Sequence, residues 1–179
     1  KEDDLVKDAE IAMYHAKRLG GDRIEVFRPS LRQHAVDILA VESDLRRALE
    51  REEIKVFFQP IIRMADESIA GFEALVRWEH PKRGRLGAGE FITIAERSGL
   101  IIPLGLMVLE KAARQLSQWQ EEFGPDLGIF ASVNVSSRQL LRHDLINDVK
   151  AVLSRVDVAR GSLKIEVTES LVMENPEYA

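Results

Sequence analysis

Cysteine is missing from all 179 residues, which excludes disulfides, thiolate catalysis and cysteine-built zinc sites. Such usage suits a cytoplasmic protein. No apolar run approaches the ~20 residues that span a bilayer, and no signal peptide is visible. Positive charge is not in excess, since 25 Lys and Arg stand against 30 Asp and Glu, for a net charge of -5. That balance gives no whole-body attraction to DNA, RNA or an anionic membrane, so any anion recognition has to be local. Internal repeats and low-complexity tracts are absent as well. What remains, 45% hydrophobic and 31% charged residues, is an ordinary globular balance. The chain begins Lys1-Glu2-Asp3-Asp4 without an initiator Met and ends at Glu177-Tyr178-Ala179 just past a strand, so it reads as a fragment.

Periodicity divides the chain in two. Leu5, Ala9, Ala12, Met13, Ala16 and Leu19 form a helical stripe that Gly20-Gly21 ends. A short strand is expected over Arg23 to Phe27, closed by Pro29. One helix and one strand cannot make a core, so they read as the tail of a preceding domain. A second helix, Leu31 to Arg51, carries Ile38, Val41, Leu45 and Leu49 on one stripe and reads as a connector.

From Ile54 onward strands alternate with helices, which argues for an α/β fold with a parallel sheet. Ile54 to Gln59 is a strand stopped by Pro60, and it forms a hairpin with a second strand, Ile69 to Trp78. Helices are expected over Gly87 to Arg97, from Pro103 to Phe123 ahead of Gly124-Pro125, and over Arg138 to Leu153. The stripe of the long one is Leu109, Ala112, Ala113, Leu116, Trp119 and Phe123. Ile129 to Val135 and Leu163 to Glu169 are the third and fourth strands.

Three of these strands carry polar residues on one face. Alternation puts Phe72, Ala74, Val76 and Trp78 on one side of the second strand, with Glu73, Leu75 and Arg77 on the other. The third sets Ser132 and Asn134 apart from Ala131, Val133 and Val135, and the fourth sets Lys164, Glu166 and Thr168 apart from Leu163, Ile165 and Val167. A charged side chain in an apolar strand is costly to bury unless something pairs with it. On successive parallel strands such faces converge in a barrel interior or at its C-terminal rim. Two carboxylates and an amide oxygen form a hard donor set for Mg²⁺ or Mn²⁺, and a guanidinium suits an anionic substrate. A polar face turned to water is the alternative, although parallel strands are normally covered on both sides.

These residues resemble those of the EAL-type cyclic-di-GMP phosphodiesterases. The likeness lies in Phe58-Gln59-Pro60-Ile61, Phe72-Glu73-Ala74-Leu75-Val76-Arg77-Trp78-Glu79-His80-Pro81 and Glu90-Phe91-Ile92. It continues through Ile94-Ala95-Glu96-Arg97-Ser98-Gly99-Leu100-Ile101, Val133-Asn134-Val135-Ser136 and Glu166-Val167-Thr168-Glu169-Ser170. The front segment is similar to the closing helix and strand of a GGDEF-type diguanylate cyclase domain, through Asp8-Ala9-Glu10-Ile11-Ala12-Met13-Tyr14-His15-Ala16-Lys17. Gly20-Gly21-Asp22 is a helix-end turn and not the cyclase signature.

The resemblance implies residues 1-29 as a GGDEF remnant (helix and strand), 30-52 as a linker helix and 53-179 as the N-terminal half of an EAL-type barrel. It implies a modified TIM-type (β/α)8 barrel whose first strand runs antiparallel. The metal ligands carry over to Glu73, Asn134 and Glu166, which act in catalysis through a Mg²⁺ or Mn²⁺ site. Substrate contacts carry over to Gln59, Leu75 and Arg77. The implied reaction is hydrolysis of one phosphodiester bond of cyclic-di-GMP to linear pGpG in bacterial signalling. A catalytically degenerate cyclic-di-GMP sensor is the alternative. Further implied are an upstream GGDEF-type domain in the same chain, a homodimer of the full-length protein, and a cytoplasmic setting with any membrane tether upstream.

One departure matters. The family's Asp-Asp-Phe-Gly segment, later lysine and later glutamate, which supply the general base and second-metal ligands, are not in this chain. The fragment alone is therefore expected to fold poorly or associate, and to be inactive.

Other candidates read as structural. His15, His34, His80 and His143 show no ligand spacing, Trp78 and Trp119 read as core, and Lys164 as a partner of Glu166 or a lining residue. Gly84-Arg85-Leu86-Gly87-Ala88-Gly89 lacks the Gly-Lys-Ser/Thr ending of a phosphate loop and reads as a plain turn. Glu169 has the opposite strand parity to Glu166 and reads as a residue that supports the ligands from behind or starts a helix.

Overall fold

The computed structural model describes residues 2–18, 20–124, 128–142 and 144–167. Its chain forms two units, Lys1–Asp44 and Leu45–Ala179.

In the first unit, α1 (Glu2–Arg18) ends as expected. The Gly21 N–H donates to the Ala16 carbonyl at 3.1 Å, and Gly20 and Gly21 take φ of 103° and 72°, values that glycine adopts without steric cost. Helix α2 (Pro29–Glu50) opens on Pro29, whose missing N–H is an unpaired donor of the first turn anyway. Arg32 on α2 pairs with Asp8 on α1, and Asp8 holds the guanidinium above its ordinary pKa. The expected strand over Arg23 to Phe27 does not form. Among the described residues no strand lies beside residues 24–28 to complete a ladder.

The second unit begins with the last turns of α2, where Leu45 and Ala48 are buried. Its strands are β1 (Ile54–Ile62), β2 (Ile69–His80), β3 (Gly84–Gly87), β4 (Phe130–Val135) and β5 (Leu163–Val167). Its further helices are α3 (Ala88–Ser98), α4 (Ile101–Phe123), α5 (Ser137–Arg142) and α6 (Leu145–Leu153). The sheet is mixed, in the order β1-β2-β4-β5, with β3 on β2. Strand β2 runs antiparallel to β1 and β3 and parallel to β4, and β4 runs parallel to β5. No helix among the described residues is long and apolar enough to cross a membrane.

One face of this sheet is apolar and covered by helices. Leu116 of α4 meets Ile129 and Ala131, with Phe72, Trp119 and Leu163 packed around them. The Trp119 ring lies 4.5 Å from Phe72 and 5.0 Å from Phe58, near the offset and edge-on spacings that aromatic pairs prefer. Trp78 is fully buried and stands edge-on to Phe91 of α3, while its Nε1 donates to Glu53 Oε2 at 3.1 Å. Lys111 of α4 donates to the Ile54 carbonyl at 3.0 Å, which ties the long helix to the start of β1. In the β1–β2 turn, hydrogen bonds from the Ser68 hydroxyl and amide hold the Asp66 carboxyl below the usual carboxylate range.

Four details differ from the sequence expectation. Strand β1 continues through Pro60, because an edge strand can spare one N–H. The segment read as a plain turn contains β3, with Glu79 opposite Arg85 and His80 opposite Gly84. The helix expected over Arg138 to Leu153 is two, because Asp144 caps α6 by accepting from the Asn147 N–H. Phe123, placed on the buried stripe, is 60% exposed at the end of α4, while Leu109, Ala112, Ala113 and Leu116 are buried. His80 is buried, its Nδ1 accepting from the Lys82 and Arg83 amides. Leu19, Pro125, His143, Thr168, Glu169 and Ser170 lie outside the described residues, as does the side chain of His34.

Gly71 faces Phe130 so closely that an added Cβ would stand 2.5 Å from the Phe130 carbonyl oxygen and 2.7 Å from its ring. Gly71→Ala should therefore cost about 1–3 kcal/mol by overpacking, read as a lower midpoint in denaturant unfolding. An unchanged midpoint would show that β2 and β4 can part at no cost.

Candidate metal and phosphate site

Strand register places the polar residues of four strands on the face opposite the helix-packed one. Gln59 stands across from Glu73, Phe57 from Leu75 and Lys55 from Arg77. On the other flank of β2, Glu73 is level with Ser132. Ser132 is level in turn with Lys164, and Asn134 with Glu166. A one-residue slip in any one of these pairings would turn that strand's polar residues to the helix side and break the set.

Glu73 and Asn134 touch, the Asn134 Nδ2 donating to Glu73 Oε1 at 2.7 Å. Glu73 is half-buried, and Asn134, Glu166 and Gln59 are exposed. Among the described residues no basic side chain forms an ion pair with Glu73 or Glu166. Ser132, beside Glu73, is fully buried and its hydroxyl has no hydrogen-bond partner. An unpaired buried hydroxyl costs roughly 1–3 kcal/mol, which fits a site that gains polar ligands when occupied. Among the described residues no three His, Cys, Asp or Glu side chains cluster. The available set is two carboxylates and an amide, hard donors that suit Mg²⁺ or Mn²⁺. Turning the Asn134 amide over would exchange its Nδ2 for its Oδ1 toward Glu73, so the same pair can satisfy itself or present three oxygens with Glu166.

Leu75 lines a cavity of about 400 Å³ between β2, β4, α3 and α4, together with Asn134, Ile92, Leu104 and Val108. Arg77 is half-buried, and its Nη1 donates to the Val76 carbonyl at 2.8 Å. Lys164 does not pair with Glu166; its ammonium lies 3.2 Å from the centre of the Phe130 ring. The structure thus brings Glu73 into contact with Asn134, sets Glu166 beside Asn134 and Gln59 beside Glu73, and leaves Leu75 and Arg77 further along the same strand.

Sequence reading passed over Gln139. Its Oε1 accepts from the Ser136 N–H at 3.0 Å and its own N–H reaches the Ser136 Oγ at 3.4 Å, a reciprocal cap on α5. The Ser-x-x-Gln spacing at Ser136 was the signal available for it. A Cβ on Gly105 of α4 would lie 1.9 Å from Gln139 Nε2, so a larger residue there would push the Gln139 amide aside. Arg138 adds a bond from Nη1 to the Glu96 carbonyl at 2.7 Å, a cation at the end of α3. The chain leaving Asn134 is therefore pinned to both α3 and α4.

The EAL domain family profile matches residues 42–179, well over half of the chain. The chain belongs to the EAL domain family. It is 35% identical over 175 residues to the cyclic di-GMP phosphodiesterase PdeR of Escherichia coli K12, covering 98% of this chain and 26% of that protein. It is 37% identical over 172 residues to MucR of Pseudomonas aeruginosa, a bifunctional diguanylate cyclase/cyclic di-GMP phosphodiesterase, covering 96% of this chain and 25% of that protein. This EAL chain thus spans about a quarter of the length of the curated relatives it matches. The solved MucR phosphodiesterase in complex with c-di-GMP superposes with a TM-score of 0.72 at 36% identity, over 77% of this chain and 55% of that one. The α/β fold with its mixed sheet is that of EAL domain structures.

Gln139→Ala leaves the Ser136 N–H without its acceptor and should cost about 1 kcal/mol. Gln139→Glu should recover most of that, because a carboxylate oxygen can accept the same bond. Equal losses in thermal unfolding of the two variants would show that the cap is not what holds α5.

Proposed function

We propose that the full-length protein containing this chain hydrolyses one phosphodiester bond of cyclic-di-GMP, leaving linear pGpG, with Mg²⁺ or Mn²⁺ held by Glu73, Asn134 and Glu166. The observation that carries this reading is the Glu73–Asn134 contact of 2.7 Å, with Glu166 level with Asn134 on the same face. The names of PdeR and MucR support the substrate and the reaction class.

Each residue has a separate part in the proposal. Glu73, Asn134 and Glu166 offer oxygens to the ion. When bound, a divalent ion supplies charge neutralisation at the phosphoryl oxygens and a lowered pKa for attacking water. The Arg77 guanidinium neutralises a substrate phosphate as a fork, which a lysine would do only as a point charge. Gln59, exposed opposite Glu73, offers its amide on the substrate side. Leu75 supplies apolar contact beside the strand.

The wider organisation belongs to the same proposal. Residues 53–179 form the N-terminal half of a modified TIM-type barrel with β1 as its antiparallel first strand, and 30–52 a connecting helix. Residues 1–29 close an upstream GGDEF-type domain in the same chain; the MucR likeness over 96% of the chain, beyond residues 42–179, favours this. The full-length protein is proposed to be a cytoplasmic homodimer, tethered to a membrane, if at all, through upstream segments. The general base and second-metal ligands are assigned to later segments, so the 179 residues alone are proposed to be inactive.

In the full-length protein, Glu73→Ala should lower Mg²⁺- or Mn²⁺-dependent hydrolysis by about 100-fold or more, the scale of several kcal/mol of charge stabilisation. An unchanged rate would show that Glu73 is not a ligand, and a wild-type protein that binds cyclic-di-GMP without cleaving it would favour the sensor. Arg77→Ala should weaken nucleotide binding about tenfold while Mn²⁺ affinity, read by electron paramagnetic resonance, stays the same. Unchanged nucleotide affinity would remove Arg77 from the phosphate.

A further inference from the structure

Arg85 reaches across the polar face from one flank of β2 to the other. Its backbone sits on β3, paired with Glu79. Its Nε donates to Glu79 Oε1 at 2.6 Å. Its Cζ lies 4.7 Å from the centre of the Phe57 ring, which belongs to β1 on the opposite side of β2. Phe57 stands across from Leu75, one step along the same face from the Gln59–Glu73 pair. Two residues along a strand cover about 7 Å, so the stacked guanidinium lies within a nucleotide's width of Glu73. Arg77 and Lys55, paired across β1 and β2, share this face.

The arrangement is more specific than a surface cation. Glu79 takes the Nε edge while the Phe57 ring lies under the Cζ, two contacts that together hold the guanidinium in place. Among the described residues no acceptor engages Nη1 or Nη2. A guanidinium so held keeps its Nη1/Nη2 edge free as a two-donor fork, beside an aromatic ring of the kind on which proteins stack a splayed-out base. Guanine presents two acceptors, O6 and N7, that such an edge can bridge, whereas adenine places an amino donor where guanine has O6.

We propose that the Arg85–Phe57 stack, oriented by Glu79, recognises one guanine of the cyclic dinucleotide through O6 and N7. This rests on the reading of the site as one that binds cyclic-di-GMP. Arg77 then takes phosphate and Arg85 takes base, so two arginines on one face divide the ligand between them. The competing explanation is that Arg85 only fastens the short β3 strand to β2 and β1.

The test is equilibrium binding to the full-length protein in EDTA, so that nothing is hydrolysed, with cyclic-di-GMP titrated directly and cyclic-di-AMP as a competitor. Arg85→Ala is expected to weaken cyclic-di-GMP binding about tenfold and to leave cyclic-di-AMP binding as it was, so the guanine preference falls about tenfold. Arg85→Lys keeps the charge and the ring contact but loses the fork, and it should lose the same preference. It also covers the case in which the alanine variant does not fold. A preference unchanged in both variants, or restored by lysine, overturns the inference, as does an equal weakening of both ligands. If the wild-type protein binds no cyclic-di-GMP, the functional reading fails with it; if it binds and the preference survives Arg85→Ala, this inference alone fails.

Discussion

The register of β2 against its three neighbours is the constraint on which the site depends. Strand β2 pairs with β1 along its length, with β4 over its first half and with β3 over its second. Because side chains alternate at every residue, those ladders decide together which side Glu73 and Arg77 face. The helix side sets the phase, since Trp78 is fully buried against Phe91 and Phe72 packs against Trp119. With those aromatic residues committed to the helices, Glu73, Leu75 and Arg77 have to lie on the opposite face.

From that register the remaining geometry follows by short steps. Parallel pairing with β4 brings Ser132 level with Glu73 and puts Asn134 within hydrogen-bonding reach of its carboxylate. Parallel pairing with β5 adds Glu166 beside Asn134. The chain beyond Asn134 is held by the Ser136–Gln139 cap and by the bare backbone of Gly105, features that stabilise the fold and also limit where Asn134 can point. Antiparallel pairing with β3 carries Arg85 back across the same face to Phe57. On the proposed reading, a metal-binding set, a phosphate-binding arginine and a base-binding arginine would share one face of the sheet.

Much of this was legible in the residues. Strict alternation in Phe72 to Trp78 told the two faces of β2 apart, and the 3.6-residue stripe of Leu109, Ala112, Ala113 and Leu116 placed α4. What escaped sequence reading was decided by neighbours rather than by local pattern. Pro60 looks like a stop, but an edge strand has an N–H to spare. The run from Gly84 to Gly87 looks like a turn because glycine is a poor strand former, yet β2 offers it a free edge. Arg23 to Phe27 looks like a strand but has no ladder among the described residues. Phe123 fits the apolar stripe and is still exposed, because periodicity does not show where the covering layer stops. The candidate site residues stood out as an ordered set of polar positions, and the Ser-x-x-Gln spacing pointed to Gln139, while the contact of Arg85 with Phe57 crosses three strands and follows from no spacing rule.

The central claim is that Glu73, Asn134 and Glu166 converge on one divalent ion. Its most direct test is a crystal structure of the full-length protein grown with Mn²⁺ and cyclic-di-GMP, with the ion located by its anomalous scattering. The account predicts an anomalous peak ligated by oxygens of all three residues, with the Asn134 amide turned from its hydrogen bond to Glu73. A peak bound elsewhere, or an occupied nucleotide site with the Asn134–Glu73 hydrogen bond still intact, would contradict it.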